Sequence, residues 1–152
     1  MNPDDFGRLG LGAIDQVAFV VRSLEESLPR YEAIFGPFKT GESKIDDYTT
    51  PEGTASCTLK LAVCNTAPIE VELIEVAAGN TPHREHLEKH GEGLHHVRFR
   101  VDSVEESIAT LEAEGFRSVF HKRYGPTIAF AYLETPDAIG SWLIELLEMP
   151  SA

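Results

Sequence analysis

Four side chains spread along the chain, Gln16, Glu72, His96 and Glu145, offer an amide oxygen, an imidazole and two carboxylates. Brought together, they make an oxygen-rich shell for a five- or six-coordinate divalent ion that keeps water positions open. Open positions are what a catalytic rather than a structural metal requires. An ion held there would polarise a substrate carbonyl and stabilise the enolate formed when the neighbouring carbon loses its proton.

The reason to group these four is an internal repeat. Shifted by 80 residues, the stretch Gln16–Ser27 lies over His96–Ser107 with seven of twelve positions identical, and Gln16 falls on His96. Near the end of each half, Val71–Glu75 lies over Ile144–Glu148, and Glu72 falls on Glu145. Residues that merely faced solvent would have no reason to keep the same place relative to the flanking apolar pattern. The bland alternatives are that His96 is a hydrogen-bonded structural histidine and that the two glutamates are the wet face of amphipathic strands.

Alternation from His96 puts His96, Arg98 and Arg100 on one strand face and Val97, Phe99 and Val101 on the other. Arg98 and Arg100 can either reach the same concavity and bind an anionic substrate group, or pair with Glu72, Glu70 or Asp102 as structural salt bridges. His95, of opposite parity to His96, is set aside as a ligand. His83, His86 and His90 lie in a polar helical stretch and are expected to be solvated.

The elements that must position these groups follow in chain order. A polar lead-in, Met1–Leu11, precedes a strand at Ala13–Val21. Ser23 with Glu26 makes a capping box for a helix to about Phe35, stopped by Gly36-Pro37. A short strand at Lys39–Ile45, a polar loop at Asp46–Gly53 and strands at Ala55–Val63 and Ile69–Val76 complete the first half. A short helix, Pro82–His90, ends at Gly91. The second half repeats the order: strand Leu94–Val101, capping box Ser103 with Glu106, a helix to about Glu114, and strands near Arg117–His121, Thr127–Leu133 and Trp142–Leu147.

The totals fit one soluble globular domain: 152 residues, 42% apolar and 25% charged. A net charge of -12 with no basic runs argues against nucleic acid. Cys57 and Cys64, without CxxC spacing, read as small core residues of a reduced protein. No apolar run is long enough to span a membrane, and Met1–Gly12 lacks signal-peptide features, so a cytoplasmic protein is expected.

The chain resembles the vicinal oxygen chelate superfamily, which includes glyoxalase I, methylmalonyl-CoA epimerase, extradiol dioxygenases and bleomycin-resistance proteins. The resemblance runs from about Ile14 to Glu148. It is most specific in Glu85-His-Leu-Glu-Lys-His-Gly-Glu-Gly-Leu-His-His-Val, in Val101-Asp-Ser-Val-Glu-Glu and in Leu143-Ile-Glu-Leu, which are similar to the epimerase and glyoxalase branch. It implies an α+β fold of paired βαβββ modules, an open, cupped eight-stranded sheet. One domain over 12–149 is expected, with modules at about 12–76 and 93–149 and a helical linker at 77–92.

The resemblance also implies that Gln16, Glu72, His96 and Glu145 ligate one divalent ion, zinc, nickel, cobalt or manganese. Glu145 or Glu72 would serve as the catalytic base, and Arg98 and Arg100 would orient the substrate. The epimerase pattern has His where this chain has Gln16 and Gln where it has Glu72; Gln, Glu, His, Glu is similar to the zinc set of animal-type glyoxalase I. The epimerase's further catalytic glutamate has no counterpart in Ser56–Lys60. The expected activity is a metal-dependent lyase or isomerase that moves a proton next to a carbonyl of a small anionic or thioester substrate, in a homodimer. The alternative is a metal-free sequestering protein of the bleomycin-resistance type. An iron dioxygenase is disfavoured because Gln16 replaces the first of its two histidines.

Overall fold

The computed structural model describes residues 7–150, so the first six residues of the expected lead-in lie outside the described residues. In β1 (Ile14–Val20) Gln16, Ala18 and Val20 are buried on one face, while Phe19 on the other packs against α1 (Leu24–Phe35). This two-sided burial is the reason the strand reads as alternating. The Ser23 hydroxyl accepts from the Glu26 backbone N–H and starts α1, and Gly36, at φ 97°, ends it. The first module continues with β2 (Lys39–Thr50), β3 (Gly53–Asn65) and β4 (Glu70–Ala78).

The connecting helix α2 (Pro82–His90) is capped by Thr81, whose hydroxyl accepts from the Arg84 N–H. The second module comprises β5 (Gly93–Arg100), α3 (Val104–Glu112), β6 (Arg117–Arg123), β7 (Ala129–Glu134) and β8 (Leu143–Glu148). Ser103 caps α3 through the Glu106 N–H, as Ser23 caps α1. None of the described helices is long and apolar enough to cross a membrane.

The strands run in the order β1-β4-β3-β2-β6-β7-β8-β5, and β5 returns to β1. The expected paired modules are present, and hydrogen bonding continues around the whole cup. The junction of β2 with β6 rests on one pair, Thr49 with His121, whereas β1 and β5 meet along their length. The parallel pairing of β1 with β4 runs from Gln16–Glu70 to Val20–Ile74. Moved by the offsets of the repeat, it becomes the pairing of β5 with β8, from His96–Leu143 to Arg100–Leu147.

Inside the barrel, Ala18, Ile45, Tyr48, Cys57, Leu59, Ile74, Phe120, Tyr132 and Leu143 form one cluster. Two further clusters lie under α1 and α3. Leu9 and Leu11 pack on the cluster under α3, so the described part of the lead-in is anchored. Cys57 and Cys64, of opposite parity on β3, are both buried, Cys57 inside the barrel and Cys64 with its thiol donating to the Phe35 carbonyl on the helix side.

One expected loop is strand. Asp46–Gly53 belongs to a hairpin in which β2 runs to Thr50 and β3 begins at Gly53. Ile45 pairs with Cys57 and Tyr48 with Ala55, so β2 carries one extra residue, accommodated where Asp47 takes φ 52°. The polar residues are on the outer face, while Ile45 and Tyr48 point in. Every other element ends within two residues of its expected limit.

Candidate metal centre

Cross-strand register brings the four repeat-related residues together. On β5 the neighbours of Arg98 are Gln16 on β1 and Glu145 on β8. One step along the same face, Ala18 separates His96 from Glu72 on β4. His96 is fully buried, and its Nε2 lies 2.9 Å from Gln16 Oε1 and 2.8 Å from Glu145 Oε2. Glu72, one strand further on, senses the charge of Glu145. Its carboxyl is pushed up to about 8, first by removal from water and then by Glu145, against the pull of Arg98. Gln16, His96 and Glu145 are therefore in direct contact, while Glu72 lies on the neighbouring strand and joins them through charge.

Glu70, expected from the sequence only as a salt-bridge partner of the arginines, decides which way Gln16 points. The Gln16 amide donates to Glu70 Oε1 at 2.6 Å, which turns its oxygen toward His96. The signal was available, since Glu70 shares the parity of Glu72. Tyr132, opposite Glu145 on β7, was also missed. Its phenol is held well above the ordinary value by burial and by the charges of Glu145 and Glu72.

The arginines take a third arrangement. Arg98 donates through Nε to Asp15 Oδ1 at 2.8 Å, and Arg100 through Nε to Asp15 Oδ2 at 3.0 Å; Arg98 also lies 3.7 Å from Glu70. Glu70 was among the expected structural partners, but the main partner is Asp15. Register explains it: Ile14 pairs with Phe99 and Gln16 with Arg98, so Asp15 is an extra residue on β1, and such a bulge re-aims a side chain. Arg98 stays charged because Asp15, Glu145 and Glu70 outweigh the effect of burial.

A second bulge corrects the reading of the histidines. Ala18 pairs with His96 and Phe19 with Leu94, which leaves His95 as the extra residue on β5. Simple alternation therefore fails at His95, which is fully buried with its Nδ1 2.9 Å from His96 Nδ1. Because His96 Nε2 faces two acceptor oxygens, Nε2 carries a proton and Nδ1 accepts one from His95.

His83 and His86 are also buried, not solvated, because α2 folds back onto β5; only His90 of that run is exposed. His83 stacks on His95 with ring centres 4.4 Å apart, and its edge meets Tyr132. Burial, then His96 and His86, lower the His83 pKa to about 3. His95 is likewise held well below the ordinary imidazole range by burial and by His83.

Two donor sets are thus available to a metal. One nitrogen from each of His83, His95 and His96 lies within 4.8 Å of the others. The rings of His83 and His95, however, are stacked at 21°, which sends their in-plane lone pairs along similar directions rather than to a common point. In the other set, Gln16 Oε1 and Glu145 Oε2 converge on His96 Nε2, and the carboxylates Glu145 and Glu72 bring the negative charge and oxygen donors that suit a divalent ion.

Comparison with known proteins follows this geometry. A model of the glyoxalase/bleomycin resistance protein/dioxygenase superfamily matches residues 15–132. The mitochondrial methylmalonyl-CoA epimerase of Dictyostelium discoideum is 24% identical over 147 residues, covering 93% of this chain and 81% of that protein. Methylmalonyl-CoA epimerase from Mycobacterium tuberculosis superposes with a TM-score of 0.63 at 21% identity, covering 91% of this chain and 88% of that one. A Streptomyces coelicolor methylmalonyl-CoA epimerase variant in complex with 2-nitronate-propionyl-CoA superposes at 0.59 and 22% identity, covering 91% and 97%.

Proposed function

Because this chain belongs to the glyoxalase/bleomycin resistance protein/dioxygenase superfamily, we propose that it is a divalent-metal-dependent isomerase or lyase that moves a proton next to a carbonyl. The observation that carries the reading is His96 Nε2 held between Gln16 Oε1 and Glu145 Oε2. Gln16, Glu72, His96 and Glu145 would hold the ion. Bound there, zinc, nickel, cobalt or manganese supplies a Lewis acid for the substrate carbonyl.

The chain's own residues do the rest. Glu72 or Glu145 would leave the ion to take a proton from the carbon beside the carbonyl and return it to the adjacent atom. Glu145 and Gln16 keep His96 oriented. Arg98 and Arg100 share Asp15, and Arg98 also faces Glu70; of the two, the half-exposed Arg100 is the one free to turn to an anionic group on the substrate.

The inward residues of β3 bear on the substrate. They include Cys57 and Leu59 in the core and Ala55 and Leu61 against it, with no carboxylate among them. Epimerisation needs a base on each face of the carbon; a chain with acids on one side is better suited to shuttling one proton between adjacent atoms. That supports a glyoxalase-like reaction, moving one proton between the adjacent carbons of a 2-oxo hemithioacetal, over true epimerisation of a thioester.

The test is metal content of protein purified without added metal or chelator, beside His96→Ala, followed by deuterium exchange from solvent into acyl-CoA thioesters and hemithioacetals. About one ion per chain, lost in the variant together with exchange, is expected. Unchanged metal content in the variant would sink the assignment, and metal-free wild type after reconstitution would turn the search to a sequestered ligand.

A further inference from the structure

The clustered histidines of α2 are only partly absorbed by this centre. His86 and His90, one helical turn apart, both line a cleft of about 350 Å³ between α2 and the β7–β8 connection. His86 is 7% exposed, and neither of its ring nitrogens has a hydrogen-bond partner among the described residues. A buried imidazole without a partner, in the wall of a cleft, calls for an occupant.

We propose that this cleft is a second metal site, in which His86 and His90 bind a transition-metal dication of the zinc, nickel or copper class. The ring centres stand 4.9 Å apart with planes tilted by 52°. Two imidazoles on one tetrahedral ion, with metal–nitrogen bonds of about 2.0 Å, place their ring centres about 5 Å apart. Tilted ring planes intersect, as two ligands of one ion require, whereas the planes of His83 and His95 are nearly parallel. Imidazole ligands select these metals over calcium or magnesium.

The charge of the cleft has the right sign. Glu85, Glu134 and Asp137 border it against one cation, Lys89. Glu134 is engaged by Arg117, while Glu85 and Asp137 have no ion-pair partner among the described residues. His86 is held below the ordinary imidazole pKa by burial and by His90, so its lone pair is free near neutrality; the nearby Ser141 backbone opposes this. The site is separate from the Gln16, Glu72, His96 and Glu145 centre; the rings of His86 and His95 meet edge-on between them.

The experiment is equilibrium dialysis of chelator-stripped protein against micromolar zinc, with zinc counted per chain for wild type, His90→Ala and His96→Ala. Because His90 is exposed, its removal leaves the core intact. The expected count is about two in wild type and about one in each variant. Retention of the wild-type count in H90A, or binding only at millimolar zinc, would overturn the second site. Loss in H90A with no change in H96A would uphold it while removing the centre at His96, so the two assignments fail separately.

Discussion

Val17 stands opposite Val97 across the β1–β5 seam, and in the internal repeat the two residues are each other's counterparts. The pseudo-twofold relating the modules therefore passes between them. Gln16 and His96, one residue before each on its own strand, fall diagonally on the inner face on either side of that axis. Their side chains meet at 2.9 Å for this reason, and Glu72 and Glu145 arrive because each module repeats the register of its last strand on its first.

Glu70 should matter to metal binding without being a ligand. Its carboxylate takes the Gln16 amide N–H, and loss of such an orienting group typically lowers metal affinity about 10–100-fold. Competition titration of Glu70→Ala with a chelating dye is expected to show a fall in that range with the stoichiometry unchanged. An affinity equal to wild type would mean that Gln16 needs no orienting partner.

The contribution of Glu72 to the stability of metal-free protein should fall as pH rises from about 4.5 to about 8. Glu72 has its folded pKa raised, so below about 4.5 it is protonated in both states, and above that only the unfolded chain ionises until the folded group follows near 8. The slope from one group is at most on the order of 1 kcal/mol per pH unit. Urea unfolding across this range, compared with Glu72→Gln, isolates it: the stability difference in favour of the variant grows with pH and levels off above 8.

Acid acts on a different residue. His83, lowered to about 3, is neutral in both states above about 6.5; below that the unfolded chain takes up a proton that the fold refuses, so stability is lost as pH falls toward 3. His83→Phe keeps an aromatic ring against His95 and Tyr132 and removes two unpartnered nitrogens. Its thermal midpoint at pH 5 is expected to exceed that of wild type; a lower midpoint at pH 5 and at pH 7 would mean that the imidazole is satisfied in the fold.

Gly79, between β4 and α2, is the least replaceable glycine. It has φ 96°, and an added Cβ would stand 2.6 Å from the Ser56 carbonyl oxygen and 2.8 Å from Cys57 Cβ. Left-handed strain and a backbone clash together put the cost of Gly79→Ala at roughly 2–4 kcal/mol or more. Chemical denaturation measures it, with Gly41→Ala, where nothing lies within 4 Å and φ is ordinary, as the control expected to change little.

Much of this molecule is local in origin, and the sequence alone determined that part. Strand alternation, the capping serines Ser23 and Ser103 and the stops at Gly36 and Gly91 depend on neighbours a few residues away. The repeat needed only comparison of the chain with itself, and it was enough to select Gln16, Glu72, His96 and Glu145 before any contact was known.

Tertiary structure decided what depends on a partner strand or a distant element. The extra residues at Asp15 and His95 exist only relative to the strand alongside, and a one-residue slip changes which face a side chain occupies; hence Asp15 took the arginines and His95 came to His96. The polar stretch Asp46–Gly53 became strand because β3 was there to pair with it. The polar helix α2 buried His83 and His86 because it folds back onto β5, a long-range packing event that no periodicity within Pro82–His90 records.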